Sequence, residues 1–535
     1  MPCNGKDTPM LLPSKVDVLV IGSGLAGLST AAAAAEEGLE VLIITKSTQV
    51  SETNTWYAQG GIVETGTGDS PDLLVQDILN AGAHLNHKEA VRILAEQGPE
   101  YVQEYLVHKS GVPFQRGTEG EFDRTKEGAH TVRRILHVND QTGRAIQENM
   151  TRYTQGHGNV TFAPGFFAVD IITNTHHSSD PQQRYKQTRA LGAYILEEKS
   201  GEIYPVFAQS TVIATGGIGN VYLHTSNPEG SNGDGIAMAF RAGCNIINSE
   251  YIQFHPTLLY HRDVKRFLIT EALRGEGARL MNVRGEYFME RYHPSLKDLA
   301  TRDQVARAIY NEMDGADGYV FLDTRSIKQV NIPDRFPGIY NQCMELGIDM
   351  TRDPIPVVPA AHYFCGGIKV DTWGRTEIPG LYAVGESSCT GVHGANRLAS
   401  VSLLEALVYG IRAGKDLAKR ATHLDLTLQD SIPEWVYPTG EVDFDPLLIQ
   451  HDMLTIQSTM WNYVGIIRSN KRLERALADF NYLNHRIEKF YQEAKVTKNI
   501  LELRNAIITA SIIARAATTN KTSLGCHFRT DSNLI

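Results

Sequence analysis

The pattern of residues 16–46 constrains the fold of this chain more than any other part of its sequence. An apolar run predicts a buried strand, an alanine-rich stretch ending at Gly38 predicts a helix, and a second apolar run predicts another strand. Gly22, Gly24 and Gly27 form a GxGxxG turn between the first strand and the helix. The first glycine makes the tight turn, the second admits a pyrophosphate, and the third allows close helix packing. The segment therefore predicts a dinucleotide-binding domain.

The end of the second predicted strand indicates which dinucleotide is bound. Thr45 and Lys46 stand where an NAD-binding fingerprint has an acid, which disfavours free NAD. Two later segments, STVIATGGIG (210–219) and GLYAVGESS (380–388), are buried strands running into glycines, and they favour FAD. Glu386 ends the second of these strands, where a carboxylate reads ligand hydroxyls. Since the pieces are far apart, the domain is discontinuous, with an insertion between about residues 245 and 360.

Length and composition exclude several other classes of protein. A chain of 535 residues predicts two to four domains. Its 51 basic and 61 acidic residues give a net charge of −10, which argues against nucleic acid or an anionic membrane as partner. The six cysteines, Cys3 among them, form no CxxC pair, so neither a metal site nor a secreted disulfide scaffold is expected. No apolar run is long enough to span a bilayer, and the first fifteen residues lack a signal-peptide hydrophobic stretch. We expect a cytoplasmic location.

The stretch HGANRLASVSLL (393–404) carries charge without an obvious partner. Arg397 and His393 lie among small and polar residues, and the nearest carboxylates along the chain are Glu386 and Glu405. A guanidinium keeps its charge at any ordinary pH and needs an anion or water. The pattern predicts that Arg397 binds an anionic ligand, with a buried ion pair as the alternative.

The stretch TNTWYAQGG (53–61) is ambiguous on its own. Its glycines and its polar Asn54, Thr55 and Gln59 suit backbone amides aimed at a flat polar ring. An ordinary loop would have the same composition.

Ten motifs in chain order resemble the succinate dehydrogenase/fumarate reductase flavoprotein family, and within it the aspartate-oxidising branch. They are GSGLAG, TNTWYAQGG, ATGG, SNGDGIAMA, QFHPT, TEALRGEGA, TRDQVARAI, PAAHYFCGG, GLYAVGE and HGANRLAS. The resemblance implies an α/β fold: a discontinuous Rossmann-type FAD-binding domain, an inserted α+β capping domain and a C-terminal helical domain. The expected boundaries are 1–248 and 361–432 for the two parts of the FAD-binding domain, 249–360 for the capping domain and 433–535 for the helical domain.

The resemblance also implies which residues contact FAD. The expected residues belong to the glycine turn, the end of the second strand, the 54–61 stretch and four later positions: Gly22, Ser23, Gly24, Leu25, Ala26, Gly27, Lys46, Asn54, Thr55, Trp56, Tyr57, Ala58, Gln59, Gly60, Gly61, Asp234, Glu386, Ser402 and Leu403. Respiratory members of the family carry a histidine covalently linked to the flavin at the position of Asn54. An amide cannot form that bond, so we expect non-covalent FAD.

The substrate residues implied by the family are suited to a C4 dicarboxylate. His362 and Arg397 would hold one carboxylate, His255 and Thr270 the other, and Gln253 would support them. Arg302 would move the proton that accompanies hydride transfer. Arginine forks match carboxylates in bidentate geometry, and histidines add donors. Each histidine taken singly is more often a structural residue than a ligand residue, and TRDQVARAI also reads as a helix start with Thr301 as N-cap.

Glu127 is the residue expected to separate aspartate from succinate chemistry. Aspartate carries an ammonium group, whose desolvation calls for a carboxylate partner. Aspartate oxidases place such a carboxylate at the position of Glu127, whereas respiratory members have a neutral amide. A solvated loop glutamate is the alternative.

These features together predict an FAD-dependent enzyme that oxidises L-aspartate to iminoaspartate, with O2 or fumarate as acceptor. The family role is the first step of de novo NAD biosynthesis, with quinolinate synthase as functional partner. The alternatives are a soluble fumarate reductase or succinate dehydrogenase, an electron-transfer subunit docked to an iron–sulfur partner, and a flavin-binding structural protein.

The chain departs from the family pattern at three positions. Ala129 and Thr131 replace a glycine and a serine in EGAHT (127–131), and Val401 replaces an amide in ASVSLLE. We expect Val401, beside the flavin contacts, to alter redox potential or oxygen access.

Overall fold

The largest sheet has parallel strands at its centre and carries the first and last parts of the nucleotide-binding region. The computed structural model describes residues 12–313, 318–420, 426–437 and 445–532. Cys3 lies outside these ranges. The sheet has the strand order β6-β2-β1-β9-β8-β7, with β16 pairing to β9. Its strands are β1 (Lys15–Ile21), β2 (Val41–Thr45), β6 (Val160–Pro164), β7 (Phe166–Thr173), β8 (Ala190–Glu197), β9 (Ile203–Ile213) and β16 (Leu381–Ala383). β1, β2, β6, β9 and β16 are parallel, and β7 and β8 complete the sheet as antiparallel strands.

Helices cover this sheet because its strands are apolar on both faces. The helix predicted after the glycine turn is α1 (Leu25–Glu36), which is buried along eleven of its residues. Its alanines let α12 (Val401–Arg420) pack closely against it. The other helices of this region are α2 (Pro71–Ala81), α3 (Lys88–Tyr101), α4 (Thr142–Gln155), α5 (Asn174–His177) and α6 (Asp234–Ala242). Two small sheets flank it, formed by β3 (Ile62–Val63), β4 (Arg124–Thr125) and β5 (Ile135–Leu136), and by β10 (Ile246–Ile247), β15 (Gly367–Lys369) and β17 (Ser388–Cys389).

The inserted segment has its own sheet and its own core. Four antiparallel strands lie in the order β11-β14-β13-β12: β11 (Ile252–Leu259), β12 (Arg279–Met281), β13 (Val320–Asp323) and β14 (Ile355–Phe364). The helices beside them are α7 (Ala272–Gly275), α8 (Met289–Tyr292), α9 (Arg302–Glu312), α10 (Ile332–Arg335) and α11 (Pro337–Glu345). A separate apolar cluster, including Leu273, Phe288 and Val357, fills the interior of this segment. Thr301 is the N-cap residue of α9, as predicted, although its side chain makes no capping hydrogen bond.

Three long helices end the described chain. They are α14 (Pro446–Tyr463), α15 (Asn470–Glu493) and α16 (Lys498–Thr519), and a short α13 (Leu426–Gln429) precedes them. Their apolar faces join the same core cluster as the central sheet, so the helical region is packed on the nucleotide-binding sheet.

The predicted fold class is confirmed, since a discontinuous parallel sheet, an inserted α+β segment and a terminal helical region are all present. The numerical boundaries at 248, 360 and 432 stay predictions; β14 runs across residue 360. No helix in the described ranges is long and apolar enough to cross a membrane.

Candidate active site

One large cavity of about 910 Å³ lies at the carboxyl ends of the parallel strands. Its walls include the residues that directly follow β1, β2, β9 and β16, which is where open α/β sheets bind their ligands. The inserted segment and α16 close the other sides. We call the part lined by Lys46, Asp234, Lys498 and Glu502 the lysine end. The part lined by His255, Arg302, His362 and Arg397 is the arginine end.

The glycine turn forms one wall of the cavity between these two ends. Gly22 has a φ of +120°, and a Cβ there would lie 2.1 Å from the carbonyl oxygen of Ala214. A Cβ on Gly27 would lie 2.1 Å from the carbonyl oxygen of Gly22, so this glycine serves the packing of α1 on β1. Gly24 faces the cavity instead. The turn therefore exposes backbone to a ligand at its middle glycine, as the GxGxxG pattern predicts.

The 54–61 stretch and Glu386 form the middle of the cavity. Asn54 donates from Nδ2 to Glu386 Oε2 at 3.0 Å, and the backbone N–H of Phe364 donates to Glu386 Oε1 at 3.0 Å. Burial raises the pKa of Glu386 to about 7, against the opposing effect of the Phe364 hydrogen bond. The Oε1 atom of Gln59 is buried without a hydrogen-bond partner among the described residues. This region offers amide groups to a polar ligand.

The lysine end holds a closed charge cluster. The Lys46 ammonium lies 2.5 Å from Asp234 Oδ2 and 2.7 Å from Glu502 Oε1. Burial acts to lower the pKa of Lys46, but the two carboxylates outweigh it and raise that pKa. Lys46 therefore stays charged and is neutralised by the protein itself.

The arginine end contains a cation that the protein does not neutralise. Arg397 forms no ion pair within the described ranges; its Nη1 donates to Ser402 Oγ at 3.0 Å, and its guanidinium lies 4.6 Å from the Tyr363 ring centroid. Its Nε is buried without a hydrogen-bond partner among those residues. Burial and the nearby Arg302 lower the pKa of Arg397 to about 10, so it remains protonated at neutral pH. The site presents a desolvated positive charge to whatever enters.

The two carboxylates nearest to Arg397 in the sequence have other partners. Glu405 accepts hydrogen bonds from Tyr363 Oη at 2.7 Å and lies 2.8 Å from His393 Nε2. Although Glu405 lies twelve residues after His393 in the sequence, α12 brings it back to that histidine. This buried pair fixes Tyr363, whose ring lies beside Arg397.

Arg302 is held in a different way. Its Nε donates to Glu271 Oε2 at 2.6 Å and its Nη1 donates to Gln253 Oε1 at 3.1 Å. Arg274 also lies 3.6 Å from Glu271, and these two arginines lower the pKa of Glu271 to about 2, although burial acts to raise it. Arg302 is thus a positioned cation with a strong internal counter-ion, whereas Arg397 has none.

Gln253 lies behind the cavity wall rather than on it. Its Nε2 donates to Asn396 Oδ1 at 2.8 Å and to the Arg397 carbonyl oxygen at 2.7 Å. Since Gln253 also accepts from Arg302, one amide links the two arginines and fixes their separation.

The two histidines are neutral donors. Burial lowers the pKa of both His255 and His362 well below the usual value, and Arg302 and Arg397 lower it further. The backbone N–H of Thr257 donates to His255 Nδ1 at 3.2 Å, which leaves the proton of the neutral ring on Nε2. His362 Nδ1 lies 2.6 Å from Ser226 Oγ, and the two rings are 5.1 Å apart. Each ring is therefore held in place by a hydrogen-bond contact through its Nδ1.

Glu127 completes the arginine end as a buried carboxylate. Ser400 Oγ donates to Glu127 Oε2 at 2.7 Å, and a Cβ on Gly60 would lie 2.6 Å from Glu127 Oε1. Burial and the neighbouring Glu271 raise the pKa of Glu127, although Arg302 acts to lower it. Thr270 lines the same part of the cavity.

The charges of this end match a particular kind of molecule. Arg302 and Arg397 line this end together with Glu127 and Glu271. Arg302 is paired with Glu271, whereas Arg397 has no ion pair within the described ranges and Glu127 is hydrogen-bonded to Ser400. A ligand that brings a carboxylate to Arg397 and an ammonium to Glu127 supplies the missing partners, and buried charges are tolerated when they are paired in this way.

Most residues predicted from the sequence reach the cavity. The exceptions are Gly27 and Gln253, which lie behind its wall, and Trp56, whose ring packs against Arg144 with a separation of 5.0 Å. All the other predicted residues line the cavity, namely Gly22–Ala26, Lys46, Asn54, Thr55, Tyr57–Gly61, Glu127, Asp234, His255, Thr270, Arg302, His362, Glu386, Arg397, Ser402 and Leu403.

The departures from the family pattern have distinct structural roles. Ala129 has a φ of +65°, a conformation that favours glycine, so the loop carrying Glu127 is strained. Thr131 anchors the same loop, since its N–H and Oγ1 both donate to Asp77 Oδ2 at 2.9 and 3.0 Å. Val401 is fully buried in the apolar core against which α12 packs, and it does not line the cavity. The first turn of α12 directs Val401 inward, so it makes no direct contact with a ligand in the cavity, and its effect on redox potential or oxygen access stays a prediction.

The sequence interpretation missed three residues of the site. Glu271 was adjacent to the predicted Thr270, and an acid next to a predicted ligand residue could have indicated it. Ser400 has a φ of +58° and holds Glu127, and Glu502 reaches the lysine end from α16. The last two depend on contacts between distant parts of the chain.

The lining fits FAD. The exposed middle glycine of the turn suits a pyrophosphate, the helix α1 begins at that point, and the unpaired Gln59 Oε1 suits the amide edge of an isoalloxazine ring. The turn, the 54–61 stretch and the lysine end would hold the cofactor, with its ring toward the arginine end.

Comparisons with known proteins agree with this fit. Residues 17–403 match the family model for an FAD binding domain, and residues 453–534 match that for the fumarate reductase flavoprotein C-terminus. The chain is 44% identical to the L-aspartate oxidase of Pseudomonas aeruginosa over 96% of this chain and 95% of that protein. It is 38% identical to the chloroplastic L-aspartate oxidase of Arabidopsis thaliana, with 96% and 81% covered.

Solved structures resemble the chain over almost its whole length. A variant of the E. coli quinol fumarate reductase FrdA has a TM-score of 0.85 at 25% identity, covering 97% of this chain and 91% of that one. The Mycobacterium smegmatis Sdh1 complexed with UQ1 has a TM-score of 0.79 at 31% identity, covering 97% and 89%.

Proposed function

Because this chain belongs to the L-aspartate oxidases, a branch of the FAD-dependent fumarate reductase and succinate dehydrogenase flavoproteins, we propose that it oxidises L-aspartate to iminoaspartate. The observation that carries the proposal is the arginine end of the cavity. There a cation without an internal counter-ion, Arg397, faces the same space as the buried carboxylate Glu127. A dicarboxylate that also bears an ammonium satisfies both.

The substrate is clamped at its two acid ends. Arg397 and His362 receive one carboxylate, and His255 Nε2 and Thr270 receive the other. Neutral histidines donate hydrogen bonds without adding charge, so the arginines alone set the electrostatic balance. Gln253 fixes Arg302 relative to the Arg397 half of the clamp, because it hydrogen-bonds to both arginines.

The amino group is received by Glu127. An ionised Glu127 pairs with the substrate ammonium, and its raised pKa makes it a suitable acceptor for the proton that the amine loses during oxidation. Ser400 fixes the carboxylate from behind. The same glutamate in its protonated form would accommodate a substrate that has no amine.

Arg302 is the residue we assign to proton movement on the substrate carbon. Its Nε and Nη1 are occupied by Glu271 and Gln253, which leaves Nη2 without a hydrogen-bond partner among the described residues. Glu271 compensates the charge of Arg302 and fixes the orientation of its guanidinium across a 2.6 Å contact. Arg302 therefore combines a fixed position with an unengaged Nη2.

Bound FAD supplies the two-electron acceptor for the hydride that leaves the substrate. Asn54 occupies the position where respiratory relatives carry the flavin-linked histidine, and we propose that FAD is held without a covalent bond. Acid precipitation should therefore release the flavin into the supernatant, and flavin that stayed with the precipitated chain would contradict this.

Fumarate reduction is the second activity that the site supports. The TM-score of 0.85 to a fumarate reductase and the clamp for two carboxylates both favour it. We propose that fumarate and O2 both serve as acceptors for electrons from aspartate. We also propose a cytoplasmic location and delivery of iminoaspartate to quinolinate synthase in de novo NAD biosynthesis.

One assay separates these functions. The purified chain with its flavin is mixed with L-aspartate, D-aspartate or succinate, and hydrogen peroxide is measured with and without fumarate. An L-aspartate oxidase releases peroxide with L-aspartate only, and fumarate lowers the peroxide yield while succinate accumulates. Peroxide with succinate but not with L-aspartate would contradict the proposal, and no turnover with any of them would favour an electron-transfer subunit.

A further inference from the structure

The lysine end contains an acid that the family motifs do not account for. Dinucleotide-binding domains usually read a ribose of their ligand with a carboxylate at the end of the second strand. In this chain β2 ends at Thr45, and Lys46 follows. The position that normally supplies an acceptor for ribose hydroxyls supplies a donor instead.

Two carboxylates from elsewhere in the fold meet at this position. Asp234 begins α6, and Glu502 lies in the second turn of α16. Both oxygens of Asp234 are engaged, because Oδ2 accepts from Lys46 and Oδ1 accepts from Asn505 Nδ2 at 2.8 Å. Glu502 uses only Oε1, at 2.7 Å from Lys46, and its Oε2 has no hydrogen-bond partner among the described residues. Glu502 lines the cavity, and its Oε2 is therefore the carboxylate oxygen available to accept a hydrogen bond from a ligand.

Glu502 is held there by a polar stripe along α16. Lys498, Glu502, Asn505 and Thr509 recur at the spacing of one helix face. Lys498 Nζ donates to the Lys46 carbonyl oxygen at 3.2 Å, and Thr509 Oγ1 donates to the Gly233 carbonyl oxygen at 3.2 Å. Together with the contacts of Glu502 and Asn505, the stripe binds the end of β2 and the start of α6. The helix is fixed on the cofactor cavity by four polar contacts.

We propose that Glu502 is the residue that accepts the adenosine ribose hydroxyls of FAD, and that α16 is consequently part of the cofactor site. This inference rests on the proposed FAD-dependent function. Lys46 acts as a positioning residue that orients the Glu502 carboxylate. The arrangement gives the chain a preference for an adenine dinucleotide over a flavin mononucleotide, because only the former reaches the lysine end.

Ligand titrations of the chain freed of its flavin test the assignment. FAD, ADP and FMN are titrated separately into the wild-type chain and into Glu502→Gln, following flavin fluorescence or calorimetry. The amide keeps the size of the side chain but removes its charge, and a hydrogen bond to a charged group is worth about tenfold or more in affinity. We expect about a tenfold loss of affinity for FAD and for ADP, with FMN affinity unchanged.

Glu488→Gln is the matched control. Glu488 lies on α15 with 40% of its side chain exposed, pairs with the largely buried Arg504 at 3.2 Å, and does not line the cavity. The Glu488→Gln variant also loses one negative charge from the C-terminal helical region. Its affinities for FAD and ADP should equal those of the wild type.

Three results would overturn the inference in distinguishable ways. Unchanged FAD and ADP affinities in Glu502→Gln would show that Glu502 is only a counter-ion of Lys46, and aspartate oxidation by the FAD-bound chain would still stand. Equal losses for FAD, ADP and FMN would mean that the substitution acts through the fold. Failure of the wild-type chain to bind FAD would overturn the proposed function together with this inference.

Hydrogen exchange on the wild-type chain tests the same assignment without a substitution. ADP and FAD should each slow amide exchange in the first two turns of α16, whereas FMN should not. Equal exchange rates with and without ADP would contradict a role for α16 in the cofactor site, whatever the behaviour of the variant.

Discussion

The two ends of the cavity treat buried cations in opposite ways. At the lysine end, Lys46 lies between two carboxylates and is neutralised by the fold. At the arginine end, Arg397 is more deeply buried, yet no carboxylate of the described chain pairs with it. Burying an unpaired charge is costly, so such a site persists where a ligand supplies the missing charge. The contrast teaches that a charged side chain is a better indicator of ligand chemistry when its counter-ion is missing from the protein.

Arg397→Lys should have the largest effect, and it tests whether the unpaired cation of the arginine end binds the substrate. Lysine keeps the charge but loses the planar fork that matches a carboxylate. We expect kcat/KM for L-aspartate to fall on the order of 10²- to 10³-fold, because the clamp loses a desolvated charge pair. Flavin content per chain should stay unchanged.

The control for Arg397→Lys is the same substitution at Arg262, whose side chain is 89% exposed. Arg262→Lys should retain full activity. A loss of less than threefold in Arg397→Lys, or a matching loss of flavin, would remove Arg397 from the substrate clamp.

Glu127→Gln should separate the two substrates of the arginine end. The amide cannot neutralise the aspartate ammonium, but it suits a substrate with no amine. We expect aspartate oxidation to lose about 30- to 100-fold in kcat/KM, the value of a buried hydrogen bond to a charged group, with fumarate reduction changed less than threefold. Steady-state assays with both substrates measure this, and parallel losses would exclude Glu127 from the amine site.

The pH dependence of ligand binding also tests whether Glu127 distinguishes aspartate from fumarate. Burial and the neighbouring Glu271 raise the pKa of Glu127 above the ordinary value of a glutamate. Below the raised value Glu127 is neutral and the site favours a dianion; above it Glu127 is ionised and the site favours aspartate. The Kd of fumarate should therefore rise as pH increases through that value, by about tenfold per unit at most, while the Kd of aspartate falls.

Flavin absorbance changes on ligand binding can follow both dissociation constants. In Glu127→Gln the two pH trends should flatten. Persistence of both trends in that variant would assign them to another group, for which Glu386, with a pKa raised to about 7, is the first candidate.

Ala129→Gly should give the smallest effect. Ala129 holds a φ of +65° in the loop that carries Glu127, and glycine removes the steric cost while adding unfolded-state entropy. We expect the free energy of unfolding to rise by about 0.5 kcal/mol. Ala478→Gly, at an exposed position inside α15, should instead lower it by about 1 kcal/mol. Chemical denaturation measures both, and a loss of stability in both variants would contradict strain at Ala129.

Local features of the site were predictable from the sequence, and long-range pairings were not. The roles of Gly22, Gly24 and Gly27 follow from a single strand–turn–helix, because the geometry of that unit leaves few choices. Arg397 was identified because its sequence neighbours offered no acid. Ser400 and Glu502 escaped because their importance comes from Glu127 and Lys46, which lie far from them along the chain.

Val401 shows the limit of reasoning by adjacency. Val401 is next to Ser402 in the sequence, and Ser402 lines the cavity. The side chain of Val401 is nevertheless buried in the apolar core beside α12. On a helix, neighbours in sequence face directions about 100° apart, so adjacency to a ligand residue says little about contact. The motif alone did not determine which residues of α12 face the cavity.

The contact between β2 and α16 sets an order of events during biosynthesis. A ribosome must add 456 residues after Lys46 before Glu502 is available to meet it. If Glu502 contacts FAD as proposed, cofactor capture at full affinity follows translation of the helical region and cannot accompany emergence of the first strands. Prematurely released polypeptides would then carry the glycine turn without this contact and bind FAD more weakly than the finished chain.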